Sequence, residues 1–467
     1  MKNYIRHIFL AGFLGFYCAF SVMAQTPRPP YQYPEEPEVL QNLKEWQDLK
    51  FGLFMHWGTY SQWGVVESWT LCPEDWEWNK RPDNSEYFQY VQDYEKLAMT
   101  FNPVKFNPEK WATAAKEAGM KYVVFTTKHH DGYNMFDTRQ TDYKITGEAT
   151  PFHTNPRANV TKEIFDAFRK ENFKTGAYFS ITDWNHDDFW WKYMPPKDRN
   201  INYSADKYPE KWNRFNDFIN AQLSELTDGS YGKVDIMWFD LIGISNEKTV
   251  DWERFTNTVR SHQPQAMMVA RHAYTKYENY RTPEQEIPEE ALDYPWETCM
   301  TMGNMWSYNA DEDFKSTWQL VRALVQVVSR GGNFLLNVGP SPEGDFHPTA
   351  YQRLREIGEW MKINGESIYG TKPIAPYQET KIAFTQKGKY VYATYLPDEN
   401  EVNVPKVVSI QSMQLAKGSK VYLLGYKKPL EWERSGTGIQ IKLPGGVQNT
   451  SPCKHAWVFR LEQNLKK

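Results

Sequence analysis

Apolar residues along this chain come in short, almost unbroken runs rather than in strict alternation. FGLFMHW (51–57), YVVFTT (122–127), TGAYFSI (175–181), VDIMWFD (234–240), Met267–Arg271 and Phe334–Val338 are bounded by polar or glycine-containing stretches. Strands buried on both faces of a parallel sheet have this signature. Between the runs lie segments with helical spacing. PEKWATAAKEA (108–118) stops at Gly119, TKEIFDAFRKEN (161–172) opens on Thr161 as a cap, and 314–328 puts Phe314, Trp318, Val321, Val325 and Val328 on one face. Strand–helix alternation repeated this often predicts a parallel α/β sheet, and a (β/α)8 barrel suits the length. The Pro-rich stretch QTPRPPYQYPEEPE (25–38) reads as an extended lead-in.

The pattern changes near Lys372. Lys389–Tyr395, Lys406–Ile410, Lys420–Leu424, Gly438–Leu443 and Ala456–Leu461 are short strand-like runs separated by Gly, Pro and Asn, with no long helical pattern between them. They predict an antiparallel β-sandwich. At the other end, Lys2 and Arg6 precede an apolar run from Ile8 to Met23, and Val22-Met23-Ala24 offers a small-residue cleavage site. This is the pattern of a secretory leader, too short to favour a membrane span. The expected division is a leader at 1–24, a barrel over 25–371 and a sandwich over 372–467, in a chain exported to the periplasm or the exterior.

Charge removes one class of partner. There are 58 acidic side chains against 54 basic ones, and two of the basic ones fall in the leader, so nothing points to nucleic acid. Outside the leader three cysteines remain, an odd number with no zinc-like spacing. Aromatics make up 16% of the chain, with 19 Trp, more than core packing requires. Tryptophan faces stack on sugar rings, which makes carbohydrate a candidate ligand, although each single Trp is more often core.

The polar residues sit where the apolar runs end. His56-Trp57-Gly58, His129-His130-Asp131, Asp183-Trp184, Asp240 and Arg271-His272 all follow or close a predicted strand, with Tyr178 just inside one and Glu284 and Glu297 further on. In a barrel those ends form one catalytic face. A metal site is one reading, but neighbours at a strand end should point to opposite sides, and neither HExxH nor His-x-His occurs. Glycoside hydrolysis is the other. It needs two carboxylates, while neutral imidazoles and a guanidinium can hold the sugar hydroxyls. Asp240 closes an apolar strand, where an isolated carboxylate is costly unless it is used or paired.

Several stretches carry a specific resemblance: FGLFMHWG (51–58), YVVFTTKHHDGYNMF (122–136), TGAYFSITDW (175–184), DIMWFD (235–240), WETCMTM with WSYN (296–309), GGNFLLNVGPSPEGD (331–345) and IGEWMKINGESIYG (357–370). In order and content they resemble the α-L-fucosidases of glycoside hydrolase family 29. The resemblance implies a (β/α)8-like barrel followed by a β-sandwich. It also implies a retaining exo-α-L-fucosidase acting on fucosylated oligosaccharides or glycoconjugates, without metal or cofactor. Asp240 falls at the family's nucleophile. His56, His129, His130, Tyr178, Trp238 and Arg271 fall at its sugar-binding positions, and Trp306 at an aromatic beside the sugar's methyl group. The family's early glutamate has two candidates here, Glu67 and Glu77, of which Glu67 keeps the spacing from His56. For the acid/base, Glu284 lies in a loop after the fifth strand at a Thr-x-Glu match, while Glu297, on the expected sixth strand, suits a supporting role better. Where the family has Asn-Asp-Arg-Trp this chain has Val269-Ala270-Arg271-His272, so the walls beside the arginine differ. A related glycosidase for another L-sugar, such as L-galactose, and a non-catalytic fucose-binding protein are the alternative readings.

Overall fold

The computed structural model describes residues 29–462 apart from Asp75, 82–85, 243–249, His272 and Tyr274, and without the side chains of Glu77, Gln448 and Asn449. The expected leader at 1–24 lies outside the described residues. Seven parallel strands form one sheet: β1 (Phe51–Met55), β2 (Tyr122–Lys128), β3 (Lys174–Ser180), β4 (Ile236–Asp240), β5 (Met267–Arg271), β6 (Glu297–Thr301) and β7 (Asn333–Asn337). Their order is β5-β4-β3-β2-β1-β7-β6, so the sheet curls until β5 and β6 are its two edges.

The gap between those edges is bridged by an irregular stave, residues 279–285. The Asn279 N–H donates to the Met268 carbonyl at 2.8 Å, and its side-chain oxygen accepts from the Met268 N–H at 2.7 Å. On the other side Arg281 bridges to Trp296 and Glu284 to Cys299. Pro283 has no N–H to give a ladder, and Gln285 sits at φ 55°, so the stave makes isolated bridges rather than a strand.

Helices pack outside the sheet. The helix Pro108–Glu117 ends in the expected glycine: Gly119, at φ 91°, donates to Lys116, and Met120 donates to Ala115, which satisfies the last carbonyls. Two expected helix starts are shifted. The helix Val160–Lys170 is capped by Asn159, not Thr161, whose hydroxyl instead bonds the Met135 carbonyl at 2.7 Å. The helix Thr317–Ser329 starts after Ser316, which forms a reciprocal cap with Gln319, and Phe314 lies outside it, stacked on His347. No described helix is long and apolar enough to cross a membrane.

The lead-in is shorter than the proline content suggested. A helix, Pro37–Leu49, begins on Pro37, a residue suited to a first turn because its missing N–H would be unpaired there anyway. Its apolar face, Val39, Leu43 and Trp46, joins the cluster inside the barrel with Tyr122, Trp238 and Tyr280. Trp46 stacks on Tyr280 at 4.0 Å. The Asn42 amide donates to the carbonyls of Asp235 and Gln265, at 3.0 and 2.8 Å, just below β4 and β5. The helix therefore plugs the N-terminal end of the barrel, which leaves the opposite end as the mouth.

Beyond the helix Pro348–Asn364 the strands turn antiparallel. One sheet has the order β12-β15-β10-β9-β8 and the other β11-β14-β13, with β8 (Lys372–Glu379), β9 (Ile382–Lys387), β10 (Tyr390–Tyr395), β11 (Val407–Ile410), β12 (Val421–Leu423), β13 (Glu431–Ser435), β14 (Gly438–Lys442) and β15 (Trp457–Glu462). Five of these follow the predicted runs. Strands β8, β9 and β13 are not among the predicted runs: β8 and β13 are largely polar, and the apolar part of β9 is only Ile382-Ala383-Phe384. Trp360 and Trp318 tie the barrel's last helices to this region through bonds to the Ala456 and Pro397 carbonyls, at 3.0 and 2.9 Å.

Replacing the plug tryptophan tests its structural role. Trp46→Ala leaves a void at the barrel floor and costs about 3–5 kcal/mol. The expected outcome is a lower thermal unfolding midpoint, and an unchanged midpoint would show that the plug does not close the core.

Candidate active site

The turn after β2 sets the geometry of the mouth. The pairing of β2 with β3 slips between Thr126 and Lys128, where the strand ends, so the alternation of side chains is broken before the turn. His129 and His130 therefore do not point to opposite sides as expected, and their ring centroids lie 4.3 Å apart at the mouth. Gly132 takes φ 74°, and a Cβ there would sit 2.2 Å from the Asp183 carboxylate, so only glycine fits. Lys128 points away from the lumen and is fully buried, with its ammonium 3.2 Å from Asp183 and 3.1 Å from the Gln222 side-chain oxygen. Asp131 is held behind the turn by the Tyr94 hydroxyl at 2.9 Å, and burial pushes its pKa up to about 7. Among the described residues no three His, Cys, Asp or Glu side chains gather as a set of metal ligands.

Asp240 closes β4 and is almost completely buried. Its Oδ2 accepts the Tyr178 hydroxyl at 2.8 Å, with Arg271 Nη1 at 3.6 Å and His130 Nε2 at 3.8 Å. Neighbouring strands supply Tyr178 and Arg271 in register, β3 pairing Tyr178 with Trp238 and β4 pairing Asp240 with Arg271, while His130 comes from the turn after β2. Trp238, two residues before Asp240 and so on the same face, stacks on Tyr178 at 5.4 Å and forms the floor. The other end of the Arg271 guanidinium is bonded to Glu284.

Hydrogen bonds set the histidine tautomers. The Asn337 amide nitrogen donates to the Trp306 carbonyl at 2.7 Å, so its oxygen faces His56 Nδ1, 2.8 Å away, and that nitrogen carries the proton. The Ser180 hydroxyl donates to the Thr182 carbonyl at 2.6 Å and so accepts from His130 Nδ1 at 2.7 Å. In both rings Nε2 is left as an acceptor. Burial holds both imidazoles neutral, with pKa values lowered to about 3 for His56 and about 4 for His130. His129, bonded to Ser68 and parallel to Tyr178, is also driven well below its ordinary value by burial.

The remaining candidates separate by depth. Glu297 opens β6 at the far end from the mouth, under Trp238, and accepts from Trp238 Nε1 at 3.1 Å and from the Tyr122 hydroxyl at 2.6 Å. Burial lifts its pKa to about 7. Glu284 stands on the irregular stave, partly exposed, against Arg271. Glu67, at φ 38°, is buried and accepts the Ser307 N–H at 2.7 Å, tying its turn to the loop that carries Trp306. Burial raises its pKa to about 8. The rival Glu77 has its side chain outside the described residues. Trp306 packs edge-on to Phe54 at 6.0 Å and 5.1 Å from the His56 ring.

Sequence reasoning assigned no role to Asn337, Ser180 or Ser68, which orient the three histidines. Asn337 left a trace, a polar residue closing the apolar run NFLLN, of the kind that singled out Asp240. The serines left none.

Comparison with known proteins gives the family. Residues 18–366 match the family described as Alpha-L-fucosidase, and residues 376–462 match the Alpha-L-fucosidase C-terminal domain. The chain is 29% identical to tissue alpha-L-fucosidase of Rattus norvegicus over 95% of each sequence. It is 30% identical to the Bos taurus protein of the same name, over 93% of this chain and 92% of that one. Among solved structures, alpha-L-fucosidase isoenzyme 1 from Paenibacillus thiaminolyticus superposes with a TM-score of 0.75 at 30% identity, over 91% of this chain and 99% of that one. Thermotoga maritima alpha-fucosidase, in complex with a mechanism based inhibitor, gives 0.73 at 26%, over 92% of this chain and all of the other. The chain belongs to the α-L-fucosidase family.

Glu67 makes a testable contribution to stability. Its carboxyl keeps its proton in the fold up to about 8 but loses it near 4.5 when unfolded, so folding becomes less favourable as pH rises between those values. Glu67→Gln keeps an acceptor for Ser307 and cannot ionise. The thermal midpoint of the wild type, measured against this variant, is expected to fall from about pH 4.5 to about 8, whereas parallel profiles would show that Glu67 does not titrate there.

Proposed function

We propose that this member of the α-L-fucosidase family is a retaining exo-hydrolase that removes terminal α-L-fucose from glycans or glycoconjugates by double displacement. The observation that carries the reading is one guanidinium between two carboxylates, Asp240 on one side and Glu284 on the other. Such a bridge supports the short separation of about 5–5.5 Å that a double displacement uses, rather than the wider gap that admits a water.

In this reading Asp240 is the nucleophile. The Tyr178 hydroxyl and Arg271 hold and aim its carboxylate, and one carboxylate oxygen attacks C1 of the sugar to form a β-fucosyl ester as the glycosidic oxygen departs. Glu284 gives its proton to the departing glycosidic oxygen, then takes one from the water that attacks C1 and releases the ester. Entry of substrate has to separate Glu284 from Arg271, so the pair would act as a latch on the empty site. His56 and His130 offer Nε2 acceptors to sugar hydroxyls, and because burial keeps them neutral they accept without competing with Arg271 for Asp240. Trp306 supplies an apolar wall where fucose has a methyl group and L-galactose a hydroxymethyl. Glu297 supports Trp238 from below. The leader at residues 1–24 supports export to the periplasm or the exterior.

Two sets of variants test the roles. Asp240→Ala is expected to lose about a thousandfold or more of kcat, with azide restoring turnover as β-fucosyl azide. Near-normal activity without azide would remove Asp240 from the nucleophile's role. Glu284→Ala is expected to lose far more on a poor leaving group than on an activated one, with azide giving α-fucosyl azide. If Glu297→Ala shows that pattern and Glu284→Ala does not, the two glutamates exchange roles.

A further inference from the structure

Next to the mouth stands an aromatic array that leads from the edge of the core, at Trp69, to the surface, at Trp78. Trp69 meets the His130 ring edge-on at 5.5 Å. Trp78 meets Trp69 edge-on at 5.2 Å and lies 18° from parallel with Trp76, at 5.0 Å. On Trp76 the Arg199 guanidinium sits 4.0 Å from the ring centre. The result is a three-layer stack, guanidinium on indole on indole, leading outward from a histidine of the pocket. Its outermost ring, Trp78, is 51% exposed.

An exposed tryptophan on a loose turn would be unremarkable, but this turn is braced. Glu74 accepts from Arg199 Nε at 2.7 Å, from Nη2 at 3.1 Å and from the Arg199 backbone N–H at 3.2 Å, which locks the turn to the connection between β3 and β4. Asn79 is buried; its oxygen accepts the Trp76 N–H at 3.0 Å and its amide donates to the Glu74 carbonyl at 3.0 Å. The Glu74 carboxylate and both ends of the Asn79 amide are engaged in holding it. A rigid, half-exposed indole offers a large apolar face at little cost in conformational entropy.

We propose that the Trp78 face, backed by Trp76 and Arg199, is a platform for the leaving-group sugar: a pyranose ring bonded to the fucose, stacked by its C–H face. This rests on the fucosidase reading of the pocket. The array is continuous with that pocket through Trp69 and His130, and it runs outward from there to the exposed Trp78. Its chemistry is apolar and flat rather than charged, since the one guanidinium is already spent between Glu74 and Trp76. That selects a sugar ring over a peptide carrying fucose on serine or threonine. Binding energy gained there can be used at the reacting centre, so it should appear in kcat/KM.

The test compares wild type, Trp78→Ala and Trp78→Phe on α-L-fucosyl fluoride, which has no leaving-group ring, on fucosyl disaccharides and on a fucosyl-serine. For the disaccharide cleaved best by wild type, Trp78→Ala is expected to lose about tenfold in kcat/KM, the worth of one aromatic face. Trp78→Phe should recover most of it, while fluoride hydrolysis and inhibition by free fucose stay unchanged in both variants. Equal losses on fluoride and disaccharide would mean that Trp78 only props up the pocket, and no loss on either would mean that the ring carries no ligand; both results overturn the platform. So does wild type preferring fucosyl-serine to every disaccharide. Failure of wild type to hydrolyse the fluoride would instead overturn the fucosidase reading itself, and the platform with it.

Discussion

A carboxylate buried at the end of an apolar strand is the constraint around which the rest of the molecule is arranged. Taking the Asp240 charge out of water costs several kcal/mol unless partners replace the solvent. Those partners come from two neighbouring strands: a hydroxyl from β3 and a guanidinium from β5. Only a closed ring of parallel strands brings these ends together, because each strand delivers one residue to the same rim. The barrel can be read as the device that makes the position of Asp240 affordable.

The surroundings of that charge are tuned in one direction. His56 and His130 are kept neutral by burial, and the same burial pushes Glu67 up to about 8 and Glu297 up to about 7. Desolvation thus removes net charge from most of the titratable groups around the lumen and leaves the anion–guanidinium contact as the dominant local field. In such a medium a developing positive charge on a sugar ring is felt strongly by the one carboxylate beneath it.

How much of this was legible in the sequence depended on whether a residue's role is local. The barrel strands were legible because burial on both faces leaves no alternation, only apolar runs such as Tyr122–Phe125. The stave 279–285 was not, because Pro283 and the turn at Gln285 break the period while tertiary hydrogen bonds to Met268 and Cys299 hold it in place. The helix Pro37–Leu49 was hidden behind a proline count, although Pro37 begins it rather than preventing it. Within the site, Asp240, Arg271 and the histidines announced themselves as polar ends of apolar runs. The facing of His129 and His130 does not follow from regular strand alternation, because β2 slips its register between Thr126 and Lys128 and the turn takes over after Lys128. Ser68 and Ser180 act only through what lies opposite them in space, and a serine in a loop has no period to betray it.

The plug at the floor of the barrel has a consequence for how the chain reaches its native state. Its partners are all distant in sequence: Asn42 bonds carbonyls 193 and 223 residues away, and the Trp46 carbonyl accepts from Asn333, 287 residues on. A ribosome moving from the N-terminus therefore releases Val39, Leu43 and Trp46 long before any surface exists to cover them. Contacts of such long range form late, since the entropy of closing the loop has to be met before they contribute. The helix Pro37–Leu49 is thus among the last to dock, and until it does the growing barrel carries an open apolar end. That interval is when the chain is most exposed to aggregation.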